Sequence, residues 1–150
     1  MISESLVERL KKYLVQEKTD PPKMGINVRN EKGNRFADLI VDGRKYYETR
    51  ETNSLKPYIG KRIAIVRTGE GQAMAIGEVT IGKPLHVTSK EEFDKLRPKH
   101  LVPDDSKFGF KTEKYLYPML KPMRYQKEYR VRAKGIISRQ IPYFLIKLVE

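Results

Sequence analysis

Residues 61–82 read KRIAIVRTGEGQAMAIGEVTIG, and how this stretch pairs with itself decides the fold. Ile63, Ala64, Ile65 and Val66 make a compact apolar run with cations at its ends. Gly69, Glu70 and Gly71 supply a turn, and residues 72–82 form a second apolar stretch. Two such runs around a glycine-rich turn predict a β-hairpin. Alternation along the second strand places Met74, Ile76, Glu78 and Thr80 on one face. A carboxylate that continues an apolar face must be paired or carry a raised pKa. Lys45 is the partner expected for Glu78.

Working outward, Ile26 and Val28 alternate with polar residues and predict a short strand, followed by a turn at residues 31–34. Phe36, Leu39 and Ile40 fall at helical spacing in RFADLIVDG, and Gly43 stands where a helix-ending glycine belongs. Beyond the hairpin, LHVT reads as another short strand. Ser89 caps a short helix over residues 89–97 that Pro98 is expected to stop, with a loop over residues 98–113. KYLYPML is expected to be extended, and PYFLIKLV reads as a core strand. Residues 3–18 predict an amphipathic helix, with Ser5 and Glu8 as a capping box, ended by Asp20-Pro21-Pro22. The division expected is a helical extension over residues 1–20 and one α+β domain over residues 21–150. Short strands with few helices suggest a small curved or closed sheet.

Composition bounds the function. The 150 residues suffice for one packed domain. With no cysteine, disulfides and thiolate metal sites are excluded. The two histidines, His86 and His100, lack ligand spacing, so neither a metal nor a cofactor is expected. No apolar run approaches the ~20 residues that span a bilayer. The first twenty residues are too charged for a secretory signal, and a soluble cytoplasmic protein is expected. Gly77 to Lys83 imitate a phosphate-binding loop, but Pro84 stands where a hydroxyl must reach magnesium.

The charge points to a partner. Lys and Arg number 31 against 19 Asp and Glu, a net +12. Lys107 to Arg139 hold ten basic residues and two acidic ones. Such a field attracts polyanions, and nucleic acid is expected before any membrane surface. Lys121, Arg124, Lys127, Arg130, Arg132 and Lys134 are the expected phosphate contacts.

GRKYYETR, residues 43–50, is the candidate site. On a strand, Tyr46, Glu48 and Arg50 share a face, so Glu48 and Arg50 are positioned to pair. A bend after Gly43 brings the Lys45 ammonium toward Glu48. Tyr46 or Tyr47 is expected to stack on a base.

Gly43, Lys45, Glu48 and Arg50 fit the pattern G-x-K-x-x-E-x-R, which resembles the signature of the ASCH family, a branch of the PUA-like β-barrels. The resemblance covers about residues 25–146, with a helix before the signature and IGEVTIG after it. It implies a small β-barrel with a central cleft and a role in RNA biology. Some members are hydrolases: one acts on acetylated cytidine, another is a metal-independent ribonuclease. In the amidohydrolase branch the position matching Glu48 is a nucleophilic threonine, beside counterparts of Lys45 and Glu78. A carboxylate at Glu48 cannot play that hydroxyl's role.

Two functional readings follow. The first is a module binding RNA or a nucleotide through Gly43, Lys45, Tyr46, Tyr47, Glu48 and Arg50. The alternative is a metal-independent ribonuclease or a hydrolase of a modified nucleoside, with Lys45, Glu48 and Glu78 as its catalytic groups and Glu78 as general base. A protein partner bound through the N-terminal helix is a third expectation.

Overall fold

The computed structural model describes residue 22, residues 24–131 and the backbone of residues 138–140. The expected N-terminal helix and the closing PYFLIKLV strand lie outside the described residues, as do Arg132 and Lys134. The described residues form seven strands: β1 (Met24–Arg29), β2 (Tyr47–Arg50), β3 (Arg62–Thr68), β4 (Met74–Ile81), β5 (Leu85–Val87), β6 (Lys114–Arg130) and β7 (Ser138–Gln140). Among the described residues three short α-helices accompany them, α1 (Phe36–Val41), α2 (Lys90–Lys95) and α3 (Arg97–His100), with a 3-10 turn at Lys56–Tyr58. Among the described residues no helix is long and apolar enough to cross a membrane.

The strands form one mixed sheet in the order β2-β6-β4-β3-β1-β7, with β5 paired to β6. β3 and β4 are the expected antiparallel hairpin, and β1 runs parallel to β3. The curl comes from β6. Its first residues pair with β2 and β5, while residues from Met119 to Arg130 pair with β4. Between these halves Lys121 takes a positive φ of 47°, next to Pro122. Register shifts in the β4–β6 ladder mark further bends, as bulges do in closing sheets. The result is a half-barrel. Where β2 and β1 do not pair, the Arg50 side chain bridges them by donating to the Asn27 carbonyl at 2.6 Å.

α1 fills the curl, burying Phe36, Ala37, Ile40 and Val41. No residue beside it caps its start. Asn30, at the end of β1, does so instead: its Oδ1 accepts from the Ala37 N–H at 2.9 Å. Around the helix pack Ile26, Ile63, Ile65, Ile76, Val79 and Leu116, all within 1% of full burial. Each such side chain contributes about 1.5–3 kcal/mol over its exposed state.

Gly77 permits α1 to approach the sheet closely. A Cβ there would lie 2.3 Å from the Met123 carbonyl oxygen and 2.7 Å from Val41 Cγ1. Backbone cannot yield as a side-chain tip can. Gly77→Ala is therefore expected to destabilise the fold by about 1–3 kcal/mol, read as a lower urea midpoint.

One local expectation is corrected. Pro98 does not end helical structure; α2 stops at Leu96, and Pro98 sits in the first turn of α3, where its missing N–H leaves no bond unmade. The loop therefore begins only after His100. KYLYPML is extended as expected, and the strand runs on through the basic residues to Arg130, making β6 17 residues long.

Candidate functional site

The site begins with the end of α1. Gly43, at φ 77°, reverses the chain, and the N–H groups of Arg44 and Lys45 both donate to the Leu39 carbonyl at 2.9 Å. The reversal sends the Lys45 side chain inward, where it is 1% exposed. Its Nζ donates to the His100 carbonyl and lies 5.1 Å from the centre of the Phe36 ring. Burial draws its pKa from 10.5 to about 8; Glu48 opposes that fall, and Lys114 and Arg50 add to it.

His100 is the scaffold for that carbonyl. Its Nε2–H donates to the Phe93 carbonyl at 2.7 Å, and its Nδ1 accepts from the Val102 N–H at 2.9 Å. The ring stacks on Phe93 at 4.0 Å. Burial lowers its pKa to about 4, so the imidazole is neutral at physiological pH. Both nitrogens are satisfied within the fold, which makes His100 structural.

β2 supplies the acid and its partner. Glu48 Oε2 accepts from Arg50 Nη2 at 2.9 Å, and Oε1 accepts from the Thr49 N–H at 3.1 Å. Arg50 Nε is buried without a partner among the described residues. Lys114, 2% exposed, enters from the start of β6; its ion-pair contact is Glu51 at 4.0 Å. Burial lowers its pKa as well.

These groups line one cleft of about 670 Å³. That is the size of a small-ligand pocket. Its lining holds five cations (Arg29, Lys45, Arg50, Lys107 and Lys114) against two carboxylates, Glu48 and Glu51. Phe36 and Phe108, edge to face at 6.2 Å, form an apolar wall. Two nearly buried ammonium groups facing few acids make a site that an anionic, partly flat ligand would complete.

The structure brings Lys45, Glu48 and Arg50 together, and separates the other expected residues from them. Glu78 is absent from the cleft lining: its Oε2 lies 3.6 Å from Arg62 Nε. Burial raises its pKa, opposed by Arg62. The reason is a bulge. Against β3, Val66 pairs with Ala75 and Ile65 with Gly77, which leaves Ile76 as an extra residue, so Ile76 and Gly77 both turn to the core side. The alternation after them is inverted, and Glu78 falls beside Ala64 on the other face. The expected Lys45–Glu78 pair is thereby corrected.

Tyr47 is 7% exposed and belongs to the core, so it offers no face to a base. Tyr46, 40% exposed, packs edge-on to Tyr47 outside the cleft, with Lys99 Nζ 5.8 Å from its ring centre. Gly43 shapes the turn and does not line the cleft. On β6, Lys121, Lys127 and Arg130 are exposed away from the cleft lining. Arg124 is engaged: it donates to Asp42 at 2.8 Å and Asp38 at 3.1 Å, and these bonds, Asp42's first, raise its pKa.

Sequence reasoning missed Lys114, Arg29, Lys107, Phe36 and Phe108 as cleft residues. One signal was present for Lys114, which stands two residues before Leu116 on an apolar strand face. Glu78 shows the same anomaly, a charged residue in line with apolar ones on a strand.

Comparison with solved structures supports the fold. Two point mutants of ZmASCH from Zymomonas mobilis superpose with TM-scores of 0.63, at 14% and 16% identity. They cover 83% and 87% of this chain and 94% and 99% of theirs. ZmASCH itself gives 0.54 at 16% identity, over 73% of this chain and 87% of its own. No family model and no curated protein matches the sequence. The half-barrel is thus the fold of these ASCH domain structures, as the signature led one to expect.

Proposed function

We propose that this ASCH-fold protein is an RNA-binding module whose cleft takes one nucleotide of a single strand. The observation that carries the reading is the cluster of Lys45, Arg50 and Lys114 inside one cleft with an aromatic wall. Buried ammonium groups are held at a disadvantage that an incoming phosphate relieves, and the wall accommodates a base. A splayed single-stranded nucleotide fits this better than a duplex, whose bases stay stacked. The resemblance carried by Gly43, Lys45, Glu48 and Arg50 favours RNA over DNA.

Binding is tested by the anisotropy of a labelled single-stranded oligonucleotide across salt and pH. The log-affinity should fall with log-salt by about 0.7 per phosphate contact. A flat salt response would count against the reading. The pH response has a definite sign. Lys45 is charged below about 8 and neutral above it, so affinity should be level below that pH and decline beyond it. Fold stability moves the other way. Unfolded lysine keeps its proton up to 10.5, so the unfolded chain binds more protons between about 8 and 10.5, and stability rises there. Weakened binding at high pH is therefore not unfolding, and Lys45→Met should flatten the profile.

A second reading, hydrolysis, is favoured by one observation: a lysine drawn to about 8 is partly neutral near physiological pH and suited to accept a proton. In this reading Lys45 replaces Glu78 as the base. Cleavage of end-labelled RNA in excess chelator, lost in Lys45→Ala, would support it; intact RNA would remove the ribonuclease.

A further inference from the structure

The cleft continues past its own rim. Arg29 and Lys107 line it and also line a second hollow of about 410 Å³. This hollow is walled by the end of β1, the turn at residues 31–34 and the loop around Asp105. Its lining is polar: Lys32, Asn34, Glu31 and Asp105 join the two shared cations.

The junction is held in place. Glu31 and Asn34 exchange backbone hydrogen bonds of 2.9 and 3.0 Å, which closes the turn. The Glu31 carboxylate faces the loop. It accepts from the Ser106 hydroxyl at 2.8 and 2.9 Å, from the Lys107 N–H at 3.2 Å and from the Asn34 amide at 3.1 Å. That set of bonds occupies the acid and anchors Lys107 at the boundary between the hollows. Arg29, Lys32 and Lys107 form no ion pair among the described residues. Arg124, by contrast, is neutralised by two aspartates.

The geometry points to a strand, rather than a single nucleotide, as the ligand. One nucleotide fills the cleft, the next phosphodiester lies between Arg29 and Lys107, and a second nucleotide rests in the hollow beside Lys32. The inference rests on the reading of the cleft as a nucleotide site. It moves the path of the chain from β6 to the end of β1.

The test is competition against a labelled hexauridylate by uridine monophosphate and by 5′-phosphorylated diuridylate, with wild type and Lys32→Glu. Lys32 touches only the second hollow. Diuridylate should compete about tenfold or more better than the monophosphate, an added phosphate contact being gained. Lys32→Glu should remove most of that advantage and leave the monophosphate unchanged; Lys32→Ala should do the same more weakly. Equal competition by the two, or equal losses in the variant, would overturn the inference. Absence of binding by hexauridylate and both competitors would instead sink the nucleotide reading beneath it, and the inference with it.

Discussion

Glu48→Ala is expected to destabilise the protein by about 3–5 kcal/mol, the usual consequence of stranding one member of a buried ion pair. Its partner Arg50 has a side chain only 17% exposed. Without Glu48, the guanidinium keeps the Asn27 carbonyl, and its Nε still lacks a partner among the described residues. The damage spreads further. Burial, Lys114 and Arg50 all depress the Lys45 pKa, and Glu48 raises it. Glu48→Gln should cost less, since an amide oxygen can still accept from Arg50 or the Thr49 N–H. Urea denaturation of the three proteins measures this. A loss in Glu48→Ala below about 1 kcal/mol would place the pair among exposed, weak ion pairs and contradict its structural role.

Lys45→Met should separate function from stability. Methionine fills the same volume without the charge. It leaves the His100 carbonyl without its donor, a penalty of about 1–3 kcal/mol, but also removes the burial of an ammonium group. These effects oppose each other, so the denaturation midpoint should change little. RNA affinity should fall by about 30-fold or more, the range in which losing a buried charge partner costs 2 kcal/mol or above. Lys114→Met should act in the same direction. Affinity unchanged in Lys45→Met, with the protein folded, would remove Lys45 from the binding site.

The regular parts of this fold were legible because local pattern and tertiary environment agree. The β3–β4 hairpin follows from its apolar runs, and α1 from Phe36, Leu39, Ile40 and the Gly43 stop. Lys45, Glu48 and Arg50 were found together because a glycine turn and a period of two suffice to place them. Glu78 was misplaced because a bulge at Ile76 inverts that period, and the only local sign of it in AMAIGEVT is Gly77, a residue that inside a strand often marks a bulge. The tyrosines misled for a related reason: Tyr47 is amphipathic enough to suit a site, yet packs into the core. Phe108, Lys107 and Arg29 come to the cleft from a loop and a strand end, a neighbourhood set by the parallel β1–β3 pairing and the Glu31–Ser106 bonds. The net charge suggests a polyanion but says nothing of where it would lie, because ion pairing on the folded surface decides which cations stay available. Arg124 illustrates that limit.

The most direct measurement of the central claim is an amide ¹H–¹⁵N titration with single-stranded hexauridylate. Binding in the cleft predicts shifts gathered at residues 27–29, 45–51, 102, 107, 108 and 114, with the outer half of β6 quiet. Shifts centred on residues 121–130, or none at all at saturating RNA, would contradict it.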